Sequence, residues 1–233
     1  MKLVVLSGSG NVGKTVVAEH LLAPRIDDAL LLRFGDLQNF GKQGHWRQRS
    51  EISDVFAELL EQEHCIVDVA GHASAIVLAG IHRFASIHHA IDYFVIPVTS
   101  SGKVQFETIA LLDRLNAVGV DANQIRIVFN RVDSSVEEEF GTLLNYINQQ
   151  GVVIGDRKAA IYETELFDIL IEKNLTIRQV MDDETDYKRL LRENKQEEAE
   201  QREDWADRYA IKCLTKHVKR HLDDGYETLF AKP

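Results

Sequence analysis

The chain has 233 residues, 45% of them hydrophobic and only three of them proline, so it can bury a substantial core as one large α/β domain or two small ones. Its formal net charge of -10 argues against a uniformly basic nucleic-acid-binding surface. Cys65 and Cys213 form no CxxC pair, and the sequence has no apolar run of transmembrane length, so we predict a reduced, cytoplasmic protein rather than a disulfide scaffold.

Apolar segments alternate with helical segments through the first two thirds of the chain. The predicted strands are residues 2–6, 29–34, 65–69, 92–98 and 125–130, with 151–154 as a further candidate. The predicted helices are residues 14–23, 53–63, 104–117 and 135–149. Continuous apolar strands separated by helices are typical of a parallel sheet that is buried on both faces. We therefore predict an α/β fold with a mostly parallel central sheet flanked by helices.

The alternation ends near residue 155, and the rest of the sequence is predicted to be helical, mainly over 163–173 and 182–222. We predict a core of residues 1–155 and a C-terminal helical region, residues 156–233, that packs on the core or extends from it. Within this region, residues 211–220 carry four basic and no acidic side chains. They could form a membrane-surface helix, a local DNA contact or a packed amphipathic helix with a solvated basic face.

The stretch "GSGNVGKT" follows the first predicted strand and fits the pattern G-x-x-x-x-G-K-[ST]. In such a loop, backbone N–H groups turn inward around a phosphate, and the following helix presents its positive end to the same anion. Lys14 would reach the β- and γ-phosphates, and the Thr15 hydroxyl would ligate Mg²⁺. The predicted nucleotide-binding residues of this loop are Gly8, Ser9, Gly10, Asn11, Val12, Gly13, Lys14, Thr15 and Val16.

Acidic and amide side chains follow three further predicted strands. Asp68 ends the strand "CIVDV", and Asp36 follows "ALLLRF", so both are expected at the carboxyl edge of the sheet beside the loop. We predict that both belong to the catalytic and metal site, although either could be an ordinary surface aspartate. "NRVD" carries Asn130 and Asp133 and is similar to a base-recognition loop, with a simple strand exit as the alternative.

The order of "GSGNVGKT", "GDLQN", "IVDVAG", "VIPV" and "FNRVD" resembles the ParA/MinD superfamily of P-loop ATPases over about residues 1–155. Within it, the chain looks most like the plasmid-stability StbB-type proteins, which are linked to plasmid maintenance and conjugation. The resemblance implies ATP and Mg²⁺ as ligands, a nucleotide-dependent homodimer and a DNA-binding adaptor as partner. It also implies that Asp36 orients the attacking water, Asp68 lies near Mg²⁺ and Asn130 faces the adenine.

One position departs from the family pattern. The family loop begins with a signature lysine that reaches the partner's nucleotide in a dimer, whereas this chain has Ser9 there, and Asn11 replaces the second glycine. Because serine supplies no positive charge, we predict slow or partner-dependent hydrolysis. Arg33, Lys42 and Lys103 are candidate substitutes that the sequence does not rank.

Four functions fit these motifs. The leading hypothesis is an ATP-driven switch that positions plasmid DNA or the conjugation machinery through a partner. A GTPase is a second possibility, because Asp133 could bind a guanine base. A scaffold that hardly hydrolyses its nucleotide is a third, because the signature lysine is missing. A small-molecule kinase would need a basic lid, for which the weak candidates are Arg178, Arg189 and Arg192.

Overall fold

A computed structural model of the chain describes residues 1–35, 46–84, 86–150 and 159–231. The chain forms two compact units. The first comprises Met1–Glu163 together with Asp224–Pro233, and the second comprises Thr164–Asp223. Asp36, Lys42 and the candidate strand 151–154 lie outside the described residues.

The first unit is built around a seven-stranded sheet in which every neighbouring pair of strands is parallel. The strands are β1 (Lys2–Val5), β2 (Leu30–Phe34), β3 (Trp46–Arg49), β4 (Cys65–Val69), β5 (Tyr93–Val98), β6 (Ile125–Val132) and β7 (Ala160–Tyr162). Their order across the sheet is β3-β2-β4-β1-β5-β6-β7. The central strands are apolar because helices cover both faces of the sheet. The predicted parallel α/β architecture is therefore confirmed.

Helices connect the strands and form the C-terminal part of the chain. They are α1 (Lys14–Val16), α2 (Ile52–Glu61), α3 (Ser74–Arg83), α4 (Gly102–Ala117), α5 (Val136–Glu139), α6 (Gly141–Gln150), α7 (Leu166–Glu172), α8 (Ile177–Asp182), α9 (Tyr187–Glu193) and α10 (Ala199–Phe230). α1 continues as a π-helix over Val17–Leu22 and a 3-10 turn over Ala23–Arg25. The single helix predicted over residues 135–149 is divided into α5 and α6, because Phe140 leaves the helical conformation.

The second unit is helical, as the C-terminal sequence predicts. Thr176 caps α8 in a reciprocal capping box with Gln179, and the Asp186 carboxylate caps α9. In α10, Ile211 and Val218 are buried whereas Lys216 and Arg220 are exposed. Residues 211–220 thus lie on an amphipathic helix with buried apolar positions, and two of their four basic side chains, Lys216 and Arg220, are exposed. Among the described residues, no helix is long and apolar enough to cross a membrane.

The core of the first unit includes an aromatic pair between the sheet and the helical layer. Phe129 of β6 and Phe140 are fully buried, with ring centroids 4.9 Å apart in an edge-to-face arrangement. Substitution Phe129→Ala removes this pair and leaves a cavity, so we expect it to lower the free energy of unfolding by about 3 to 5 kcal/mol.

Urea denaturation monitored by circular dichroism measures this difference. Phe106→Ala is the matched control, because the Phe106 side chain is 65% exposed, and it should change stability by less than about 0.5 kcal/mol. Equal effects of the two substitutions would contradict the core packing described above.

Candidate nucleotide-binding site

The candidate site lies at the carboxyl edge of the parallel sheet. β1 is hydrogen-bonded to β4 on one side and to β5 on the other, and the predicted phosphate loop leaves its carboxyl end. Val5 is in register with Asp68, and Asp68 with Arg33 of β2. The parallel direction of these strands therefore brings the loop and two charged side chains, far apart in sequence, to one edge.

Two glycines permit the path of the loop. Gly13 has φ of 85°, a conformation that side chains disfavour, and a Cβ there would lie 2.1 Å from the Asn130 amide nitrogen. A Cβ at Gly8 would lie 2.5 Å from the backbone oxygen of Glu107 in α4. The loop is thus held between α4 and the end of β6, and only glycine allows both close approaches.

The Lys14 side chain folds back over the loop. Its ammonium donates to the Ser7 hydroxyl at 3.2 Å and to the Ser9 carbonyl oxygen at 3.4 Å. Burial lowers the pKa of Lys14 below its usual value, and the nearby Asp68 carboxylate opposes this effect. The fold therefore holds the Lys14 ammonium inside a loop of backbone groups, and this arrangement is suited to binding a phosphate chain.

Thr15 and Asp68 form the second part of the site. The Thr15 hydroxyl donates to Asp68 Oδ2 at 2.7 Å, and Asp68 is buried. Mg²⁺ in nucleotide enzymes is held by one or two protein oxygens together with phosphate oxygens. The chemistry of the loop, of Lys14 and of this pair of oxygens fits a magnesium–nucleoside triphosphate, and the binding roles of these residues stay predictions.

Arg33 and Glu19 extend the site on the other side of Asp68. Arg33 Nε lies 4.0 Å from Asp68 Oδ2, and Arg33 Nη2 lies 2.8 Å from Glu19 Oε1. Arg33 is one of the candidate cations predicted from the sequence, whereas Glu19 was not predicted to belong to the site. The sequence contained one signal for Glu19, its spacing from Thr15. Residues one helical turn apart lie on the same face of a helix, and here Thr15 contacts Asp68 of β4 while Glu19 contacts Arg33 of β2.

Ser9, at the position of the family's signature lysine, points back into its own chain. It is buried, and its hydroxyl donates to the Glu107 carboxylate. Lys103, another candidate substitute, has an 82% exposed side chain that lies 3.7 Å from Glu107. Of the three candidates, the structure describes Arg33 and Lys103 and places Arg33 beside Asp68.

Asn130 reaches the loop, whereas Asp133 does not. The Asn130 amide donates to the backbone oxygen of Val12 at 2.8 Å, and the side chain is buried. Asp133 is exposed just past the end of β6, where its backbone N–H donates to Glu139. Asn130 thus braces the phosphate loop, and the predicted roles of both residues in base recognition stay predictions, as do those of Asp36 and the individual loop residues.

Comparison with known proteins identifies the fold. No family model and no curated protein matches the chain. It is similar to an ATP complex of a Cyanothece McdA aspartate-to-alanine variant, with a TM-score of 0.53, 13% identity and coverage of 100% of this chain and 98% of that one. It is also similar to nucleotide-free Cyanothece McdA, with a TM-score of 0.50 and 16% identity. That match covers 77% of this chain and 92% of the McdA chain.

A ParA family ATPase from Chlorobium tepidum TLS is also similar, with a TM-score of 0.48 and 14% identity over 78% of this chain and 92% of that one. At these identities, the two McdA likenesses establish the fold. The chain shares the fold of the McdA structures, with a parallel central sheet flanked by helices, and its own C-terminal part is helical.

The close approach at Gly13 can be tested by substitution. Gly13→Ala places a methyl group against Asn130 in a strained backbone conformation, so we expect a loss of about 1 to 3 kcal/mol in the free energy of unfolding. Gly10→Ala is the matched control, because a Cβ there meets nothing within 4 Å.

Both variants are measured by urea denaturation without nucleotide. Gly10→Ala should be unchanged or up to about 1 kcal/mol more stable. A Gly13→Ala protein as stable as Gly10→Ala would show that the loop does not have the described conformation.

Proposed function

We propose that the chain is an ATP-driven molecular switch of the ParA/MinD superfamily, most similar to the StbB-type plasmid-stability proteins. The observation that carries the proposal is the Thr15–Asp68 hydrogen bond at 2.7 Å beside the folded-back Lys14. This arrangement lies at the carboxyl edge of a parallel sheet, where open α/β folds bind their ligands. The nucleotide-binding core is proposed to be residues 1–155, with residues 156–233 as a mainly helical C-terminal region that packs on the core or extends from it.

Each side chain has a distinct proposed role in this switch. Lys14 donates to oxygens of the β- and γ-phosphates, and the backbone of residues 8–16 surrounds them. Thr15 and Asp68 hold Mg²⁺, which supplies charge neutralisation at the phosphates when bound. Asp36 orients the attacking water, and Asn130 with Asp133 contacts the base.

Hydrolysis is proposed to be slow or stimulated by a partner. A positive charge at the transferred phosphoryl group accelerates such reactions strongly, and Ser9 supplies none. The partner is proposed to be a DNA-binding adaptor of the same plasmid system, with a nucleotide-dependent homodimer as the ATP-bound form. The switch would act in plasmid maintenance, segregation or conjugation.

A weakly hydrolysing scaffold is the second candidate function. It is favoured by the Ser9–Glu107 contact, in which the signature position holds an uncharged hydroxyl bonded to a carboxylate and therefore supplies no positive charge. The two candidates share nucleotide binding and differ in whether turnover changes the assembly state of the protein.

Nucleotide binding is tested first by substitution of the loop lysine. Lys14→Ala removes a charge-assisted contact to phosphate, so its affinity for magnesium–ATP in calorimetry should fall by roughly 10- to 100-fold. Lys216→Ala, at an exposed position of α10, should bind within about twofold of the unsubstituted protein. Unchanged affinity in the Lys14→Ala variant would refute the proposed function, and displacement of labelled ATP by GTP establishes which base is preferred.

Turnover separates the switch from the scaffold. We expect basal ATP hydrolysis on the order of 10⁻³ per second or slower, as in switch proteins that lack a catalytic cation. Phosphate release measured with purified protein gives this rate, and gel filtration with ATP and with ADP shows whether hydrolysis changes association. Fast turnover without a partner would contradict the proposed consequence of Ser9.

A further inference from the structure

The candidate site contains a charged network that the proposed function does not use. Arg33 bridges two carboxylates, with Glu19 at 2.8 Å and Asp68 at 4.0 Å. Its side chain is 16% exposed, and those of Glu19 and Asp68 are 28% and 8% exposed. Because these charges are partly withdrawn from water, their mutual influence is stronger than that of a surface ion pair.

The network is connected directly to the predicted metal ligands. Asp68 Oδ2, the oxygen nearest Arg33 Nε, also accepts the hydrogen bond from Thr15. Thr15 and Glu19 lie one turn apart on the helix that follows the loop, and Arg33 is in register with Asp68. The fold thus places Arg33 beside the oxygen that would hold Mg²⁺, and it pairs Glu19 with the other end of the Arg33 guanidinium.

We propose that Arg33 is a positioning residue that acts within the same subunit through Asp68 and reduces the dependence of nucleotide binding on Mg²⁺, and that the carboxylate of Glu19 partly offsets its charge. This inference rests on the proposed function and adds a regulatory property to the same site. In this proposal Arg33, which lies beside Asp68, supplies a positive charge to a site that lacks the signature lysine, whereas Lys103 is exposed.

The direction of the effect follows from electrostatics. A fixed positive charge beside Asp68 repels an incoming divalent cation and attracts a polyphosphate that carries no metal. Both effects lower the ratio of the ATP dissociation constant without Mg²⁺ to that with Mg²⁺, here called the metal-dependence ratio. Glu19 has the opposite effect on the metal-dependence ratio, because its carboxylate adds a negative charge next to Arg33.

The experiment measures the metal-dependence ratio by calorimetry with ATP, in excess Mg²⁺ and in EDTA, for the full chain. Arg33→Met keeps the length of the side chain and removes its charge, so the ratio should rise by about tenfold. Glu19→Gln removes the opposing charge, so the ratio should fall several-fold. Arg33→Lys preserves the charge and should stay within about twofold of the unsubstituted protein.

The opposite signs distinguish a charge effect from a structural one. If the Arg33–Glu19 pair only held the fold, Arg33→Met and Glu19→Gln would shift the ratio in the same direction or leave it unchanged, and either result would overturn the inference. Thermal unfolding without nucleotide checks that each variant is folded, and if Arg33→Met is not, the directions of Glu19→Gln and Arg33→Lys decide. Failure of the unsubstituted protein to bind ATP would instead refute the proposed function and the inference together.

Discussion

The site depends on one constraint, the parallel direction of β1, β2 and β4. The carboxyl ends of parallel strands lie on one edge of a sheet, so the loop after β1 and the aspartate of β4 meet although 53 residues separate Thr15 from Asp68. The hydrogen bond between these residues, and the placement of Arg33 opposite Asp68, both follow from this register. An antiparallel neighbour would have placed the same side chains at opposite edges of the sheet.

The charges at this edge differ from the pattern of the family that the sequence resembles. The signature position carries Ser9, which is buried and bonded to Glu107, so no cation extends from the loop at that point. Lys14 is held inside the loop, and Arg33 lies on the far side of Asp68. Among the described residues, Lys14 and Arg33 thus carry positive charge at this edge, and the slow hydrolysis proposed above rests on the absence of a further cation at Ser9.

The sequence predicted the central strands because continuous apolar runs are unambiguous when a sheet is buried on both faces. It missed the two outermost strands, since β3 ("WRQR") is polar and β7 ("AIY") has three residues. Lys14 and Thr15 could be identified because their chemistry is contained in one local motif. The bonds of Arg33 and Glu19 depend on strand order and register, so the spacing of Glu19 from Thr15 could indicate a shared helix face but not its ion pair with Arg33.

The central claim is that residues 8–15 surround a triphosphate while Thr15 and Asp68 hold its metal. A crystal structure with Mg²⁺ and a non-hydrolysable ATP analogue tests this most directly. We expect phosphate oxygens within about 3 Å of Lys14 Nζ, with the metal between the Thr15 hydroxyl and the Asp68 carboxylate. A nucleotide bound elsewhere on the chain, with the Thr15–Asp68 hydrogen bond intact and no phosphate in the loop, would contradict it.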